Sequence, residues 1–351
     1  MIDLTRIAAA CSLVHTAPSD PGISWTSHSV VIDASPDDVP TPSSGGQPAI
    51  TAPRTGICGA VAPRVLALPN GGYRMYYTQL LPRAGYPEGA NDYDNATSRI
   101  LSATSPDGRS WMPEPGIRLS AADGGAGDFR VVSSEVVPCG DRSGGLRMYF
   151  ECCAGPQSMQ NSIRSAVSDD GLQWTVEPDA RLEFSGQNLT SPRILFLPDG
   201  RCRLFCCQRG TGIISAVSDD GGRTFVREPG VRILPNGQFD GLTAFAPDIL
   251  RLPAGGYRMY YAGYGSARRA DILTAVSNDG LTWQKAHSPV ISPGANSWDA
   301  AKCSEMCVIW KPDHPDGTKH LRMLYEACDG TAKNHRGVWR IAAAVGNGSE
   351  S

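Results

Sequence analysis

Five short apolar runs each carry one charge: Ala62-Pro63-Arg64-Val65-Leu66, Ser133-Ser134-Glu135-Val136-Val137, Ser191-Pro192-Arg193-Ile194-Leu195, Ala246-Pro247-Asp248-Ile249-Leu250 and Ser304-Glu305-Met306-Cys307-Val308. A charge inside an apolar strand is costly to bury unless it is paired. If the five runs converge, Glu135, Asp248 and Glu305 supply carboxyls for general acid/base catalysis, one of them kept protonated by its surroundings. Asp248 and Glu305 are the preferred pair, with Glu135 as third candidate. The guanidinium groups of Arg64 and Arg193 suit two-point binding of carboxylate or phosphate, which points to an anionic substrate group. The same charges could instead pair with one another and fill a polar channel.

The elements that must position these residues are legible as a repeat. Ser105-Pro106-Asp107-Gly108-Arg109-Ser110-Trp111 returns as Ser168-Asp169-Asp170-Gly171-Leu172-Gln173-Trp174. It returns again at Ser218–Phe225 and as Ser277-Asn278-Asp279-Gly280-Leu281-Thr282-Trp283. Self-similarity of this kind marks a repeat architecture. Asp-Gly makes a tight reversal between strands, with Gly taking the positive φ. Each unit starts with a charged apolar strand. A second follows, as in Tyr73-Arg74-Met75-Tyr76-Tyr77 and Tyr257-Arg258-Met259-Tyr260-Tyr261, then a third, the Asp-Gly turn and an outer strand. The second-strand arginines, Arg74, Arg147, Arg203, Arg258 and Arg322, recur with the scaffold and are assigned to it. The fifth unit stops after its third strand, and residues 24–32 match the outer strand it lacks. The expectation is an all-β, five-bladed β-propeller of four-stranded antiparallel blades, its ring closed by the N-terminal strand, which hides the sheet edges. It spans residues 23–346 as one domain, between an N-terminal tail (1–22) and a C-terminal tail (347–351).

In such a blade the start of the first strand and the end of the second lie at one end. That face collects the five charges, together with Gln79, Glu151, Gln208, Tyr264 and Glu326 from the second strands. Glu151 and Glu326 occupy one register and are further substrate-binding candidates, as is Tyr264. Loops at 80–97, 154–161, 263–270 and 327–337 rim the face. The longest carries Tyr86, Glu88, Asp92, Tyr93 and Asp94. Arg268, Arg269, Lys333 and Arg336 add positive charge to the rim, and His335 is placed there to touch substrate.

Composition bounds the rest. The chain has 351 residues, Gly 39 and Pro 27, and a net charge of -3, which gives no general pull toward nucleic acid or an anionic membrane. No run reaches membrane-spanning length. Eleven cysteines, an odd number and several in apolar runs, argue for a reducing, cytoplasmic setting. Six histidines, and a Cys303-x-x-x-Cys307 spacing without a partner pair, give no metal signature. No cofactor is expected, and the partner is a small molecule. The oligomeric state is open.

From Gly59 to Gly346 the chain resembles the five-bladed propeller glycosidases, the arabinanase, fructosidase and mannoside-phosphorylase group. The resemblance rests on the Ala-Pro-charge inner strand, the Arg-Met-Tyr-Tyr second strand and acids that open blades, Asp128, Asp240 and Asp299. Ser218–Phe225 also resembles the Asp-box of sialidases, a structural turn. The resemblance implies a glycoside hydrolase-like enzyme acting on a carbohydrate or related polyhydroxylated, anionic molecule. Asp248 matches the family's pKa-tuning Asp, and Glu305 or Glu135 its Glu acid. Asp240 and Asp299 then become substrate-binding candidates. The first blade has Ala62-Pro63-Arg64 where the family shows an Asp before Pro, and Arg193 holds another equivalent position. Lyase, isomerase, cyclase or phosphorylase chemistry on the same scaffold therefore stays open, as does a non-catalytic sugar-binding propeller.

Overall fold

The computed structural model describes residues 22–33, 57–69, 71–82, 96–139, 145–156, 158–253, 255–311, 320–331 and 337–346. Most of the 80–97 rim loop, His335, Lys333, Arg336 and the tail residues 1–21 and 347–351 lie outside them. Every element among the described residues is a strand, joined by turns.

After β1 (Trp25–Ile32), the chain forms successive antiparallel meanders. The first contains β2 (Ile57–Ala67), β3 (Tyr73–Pro82), β4 (Ala96–Ser105) and two short outer pieces, β5 (Met112–Pro113) and β6 (Leu119–Ser120). The second contains β7 (Arg130–Pro138), β8 (Leu146–Cys153), β9 (Ser162–Ser168) and β10 (Thr175–Val176). The third contains β11 (Leu189–Phe196), β12 (Cys202–Gln208), β13 (Gly212–Ser218) and β14 (Val226–Arg227). The fourth contains β15 (Thr243–Arg251), β16 (Tyr257–Ser266), β17 (Arg269–Ser277) and β18 (Gln284–Lys285). The fifth contains β19 (Lys302–Lys311), β20 (His320–Cys328) and β21 (Gly337–Gly346), and β1 pairs antiparallel with β21 from Trp25↔Gly346 to Ile32↔Ile341.

The meanders touch in cyclic order. Five apolar clusters lie between neighbours, among them Tyr76 with Met148 and Phe150, Phe205 with Met259 and Tyr261, and Met75 and Tyr77 with Leu324. The second-strand arginines stitch these contacts. Arg74, Arg147 and Arg203 each grip a glutamate of their own meander, Glu114, Glu177 and Glu228, through Nε at 2.8, 2.9 and 2.8 Å. Their Nη1 groups donate across to the next meander's Asp-Gly turn, at Asp170 O (2.9 Å), Gly221 O (2.7 Å) and Asp279 O (3.3 Å). Arg322 of the fifth meander reaches Asp107 O of the first at 3.2 Å. Within each turn the serine hydroxyl donates to the aspartate, as from Ser218 to Asp220 at 2.7 Å, and the aspartate accepts following backbone N–H groups.

The inner strands share one irregularity that places the site. Each has a bulge, just before the charged position in four strands and containing Glu305 in β19, and the small residue that opens it is left-handed in those four: Ala62 (φ 54), Ser133 (φ 53), Ser191 (φ 54) and Ala246 (φ 51). Proline follows in three, at a point where no ladder donor is required. The bulge returns the next residue to register opposite an aromatic: Arg64↔Tyr76, Glu135↔Tyr149, Arg193↔Phe205, Asp248↔Tyr260 and Met306↔Tyr325.

The N-terminal segment docks through Gly22 O, which accepts from Tyr260 Oη at 2.9 Å and from Trp25 Nε1 at 3.1 Å, while the Trp25 and Tyr260 rings meet edge-on at 5.7 Å. Trp25→Ala removes a half-buried indole and one of these bonds, so stability should fall by about 2 kcal/mol. Chemical denaturation reads this directly. An unchanged midpoint would show that β1 contributes nothing to stability.

Candidate functional site

Arg64 sits among the inner strands and joins two of them to its own. Its Nη1 donates to Asp248 Oδ1 at 2.6 Å and its Nη2 to Glu135 Oε1 at 3.0 Å, while Nε lies against Glu135 Oε2. Each of these carboxylates also accepts a backbone N–H from the next inner strand: Glu135 from Ile194 at 3.1 Å, and Asp248 from Val308 at 2.6 Å. Burial works against the Arg64 charge, but Glu135, the Cys307 sulfur and Asp248 outweigh it and raise its pKa above the ordinary value. Arg193 is spoken for as well. Its Nη2 reaches Glu305 Oε1 and Met306 O, both at 3.4 Å, and its Nε lies 3.9 Å from Asp248 Oδ1. Both guanidinium groups therefore hold carboxyls of the protein itself.

Glu305 is displaced from the register assigned above. Met306 occupies the position of Arg64, and Glu305 lies in the bulge, where the other strands have Pro63, Ser134, Pro192 and Pro247. There its Oε2 accepts from Ser133 Oγ at 3.0 Å and Ser191 Oγ at 3.5 Å, hydroxyls of the left-handed bulge residues two and three meanders along. Glu326, on β20, accepts from Ser304 Oγ at 2.5 Å and from Ala62 N–H at 3.1 Å. Glu151 accepts from Asn161 Nδ2 at 2.8 Å and Cys153 Sγ at 3.0 Å.

All of these carboxyls are buried. Glu305 and Glu326 lie together with one long guanidinium contact between them, and burial disfavours two negative charges there. Burial, and then the charge of Glu305, push Glu326 up to about 8. Burial also raises Glu305, with Arg193 opposing. Burial and the neighbouring carboxyl both favour a proton on Glu326.

The remaining candidates fall elsewhere. Asp240 is tied to its own meander by Gly237 N (2.7 Å), Tyr261 Oη (3.2 Å) and Lys285 Nζ (2.5 Å). Asp299 accepts from Asn296 Nδ2 at 3.1 Å and anchors the segment before β19. Arg269 is paired with Asp271 at 2.8 Å and lines, with Gln238 and Phe239, a depression of about 340 Å³ beside the fourth meander rather than at the carboxyl cluster. Tyr264 is half-buried and stacks on Phe245, with centroids 5.6 Å apart. Three hydroxyls, Ser133, Ser191 and Ser304, and the amine of Lys302 belong to the site without having been singled out from sequence. Among the described residues, no group of three or more His, Cys, Asp or Glu side chains is arranged to hold a metal. Nine cysteines of the described residues, Cys303 and Cys307 among them, are buried and form no disulfide.

No protein-family model and no curated protein sequence matches the chain. Solved structures do. A thermostable family-43 glycoside hydrolase superposes with a TM-score of 0.60 at 19% identity, covering 83% of this chain and 90% of its own. The catalytic domain of a GH62 α-L-arabinofuranosidase from Coprinopsis cinerea gives 0.63 at 12% identity, with 93% and 97% covered. An N-acetylgalactosamine deacetylase from F. plautii, solved with blood group B trisaccharide, gives 0.61 at 15% identity, with 91% and 94% covered. The class defined is thus an all-β propeller with the fold of these carbohydrate-active enzymes. Within that class, glycoside hydrolases of several families share the fold with this chain.

Two outcomes follow from the charges. Arg64→Met leaves Glu135 and Asp248 buried without their shared cation, and should cost about 3–5 kcal/mol in denaturant unfolding. A loss below about 1 kcal/mol would show that neither carboxylate needs it. For Glu326, the folded pKa of about 8 exceeds the unfolded value of about 4.3. Its contribution to stability is therefore complete below the unfolded value and is lost as pH rises through about 8. Glu326→Gln should flatten the decline in unfolding midpoint across that window; an undiminished decline would mean that Glu326 is ionised throughout.

Proposed function

We propose that the five meanders are the blades of one five-bladed propeller domain over residues 23–346, closed by β1, and that its axial carboxyl cluster is the active site of a glycoside hydrolase-like enzyme. The substrate is a carbohydrate or a related polyhydroxylated molecule. Glu326, the protonated member of the pair, is the general acid that delivers a proton to the leaving oxygen. Glu305, its buried companion, is the carboxylate that takes up or returns a proton as charge develops. Asp248 and Glu135 fix the axis through Arg64, and the charge of Glu305 helps to keep the acid protonated.

One observation carries this reading: Glu305 and Glu326 are buried together where the inner strands meet, held by serine hydroxyls with a single long arginine contact, from Arg193 to Glu305. A purely structural ion network would balance its charges. The fold shared with carbohydrate-active enzymes supports the substrate class.

The test is release of sugar from a panel of aryl glycosides and plant oligosaccharides. Glu305→Gln and Glu326→Gln should each lose about 10²–10⁴-fold in turnover with unchanged circular dichroism. The wild-type rate should fall above pH about 8, where Glu326 gives up its proton. Full activity in both variants would end the assignment.

A further inference from the structure

Lys302 breaks the pattern of its own strand. The inner strands carry Ala60, Val131, Leu189 and Ala244 at the matching position, two residues before the small residue that opens each bulge, and all four are buried. The scaffold is thus satisfied there by an aliphatic side chain. Lys302 places an ammonium in that spot with only 8% of the residue exposed. Its Nζ lies 5.6 Å from the centroid of the Tyr264 ring and 5.8 Å from that of Trp339. Among the described residues it has no carboxylate partner. Ring faces return only part of the solvation that a buried ammonium loses.

The other cations of this region are committed: Arg64 to Glu135 and Asp248, Arg193 to Glu305, Lys285 to Asp240 and Arg269 to Asp271. Lys302 also lies next to the carboxyl pair. Two residues further along β19, Ser304 donates to Glu326. The residue opposite Lys302 is Cys328, two beyond Glu326 on β20. Two residues of strand span about 7 Å, roughly the width of a sugar ring. Tyr264 and Trp339 are half-buried and lie beside the amine, and aromatic rings suit the C–H surface of a pyranose.

We propose that Lys302, framed by Tyr264 and Trp339, is the seat for an oxyanion on the sugar that the Glu305–Glu326 site acts on: the carboxylate of a uronic acid or the sulfate of a sugar ester. This deepens the proposed function and rests on it for the reacting bond, but not for binding. The anion completes the ion pair that the fold leaves open and sets the sugar ring within one ring width of the acid. The guanidinium groups of Arg64 and Arg193, expected from sequence to do this, are already occupied.

The test is calorimetric titration of the full chain with glucuronate and galacturonate, with glucose 6-sulfate and galactose 6-sulfate, and with glucose and galactose. At least one anionic sugar should bind wild type about tenfold more tightly than its neutral counterpart. The carboxylate and sulfate arms identify which anion is read. Lys302→Met, which copies the aliphatic residues of the other strands, should erase that preference, and Lys302→Arg should keep it. No anion preference in wild type, or a preference that survives in Lys302→Met, overturns the proposal. Binding is read without turnover, so the two readings fail separately. A Lys302-dependent preference alongside full activity in Glu305→Gln and Glu326→Gln would sink the catalytic assignment and leave the anion seat standing.

Discussion

The contact on which the axial region depends is the guanidinium of Arg64 between Glu135 and Asp248. Five inner strands that converge with charged residues must bring like charges together unless one of them carries the opposite sign. Arg64 does so from the first strand and reaches the second and fourth at once. Its fork satisfies two carboxylates with separate donors, which a lysine point charge could not do. Each carboxylate then has a second oxygen or lone pair left for a backbone N–H of the following strand, Ile194 or Val308. The ion cluster therefore also closes the backbone ledger between meanders that share no ladder at this point.

That arrangement has a consequence for proton affinity. Once Arg64 and Arg193 have been matched, Glu305 and Glu326 remain with hydroxyl and backbone donors and only a long contact from Arg193. Hydroxyls can turn to serve a neutral or an ionised carboxyl, whereas a guanidinium favours only the ionised one. A carboxyl that must change protonation during a reaction is better served by the first kind of neighbour. Asp248 and Glu135, saturated by Arg64, have the second kind.

Much of the fold was legible because repetition separates scaffold from exception. The second-strand arginines recur with a fixed neighbourhood, and three of them form the same bidentate pair and the same reach to the next turn. The axial charges were legible as a set, since Arg64, Glu135, Arg193 and Asp248 do meet. Their pairing was not, because it depends on which strand lies across the axis from which. Glu305 was misregistered for a local reason. Its strand carries the acid inside the bulge, and aligning charge with charge hides a shift of one residue that aligning Ser304 with Ala62 and Ser191 reveals. Lys302 was missed by the same habit of looking only at the charged column.

Variation at one position of the repeat is more informative than any single motif here. A residue that every meander repeats serves the same packing in each, so its replacement in one meander marks a different local demand. Ser304, unlike Ala62, Ser133, Ser191 and Ala246, does not take the left-handed conformation, and it is the bulge residue that donates to Glu326. Lys302 replaces an aliphatic side chain two residues earlier on the same strand. Glu305 replaces a proline or serine next to it. Two side-chain departures, Lys302 and Glu305, and one of backbone conformation, Ser304, thus fall within four consecutive residues of β19. A scaffold drifting without constraint would scatter such exceptions among five strands. Their concentration in the fifth makes that strand, more than the arginine-bearing first and third, the one that departs furthest from the shared pattern.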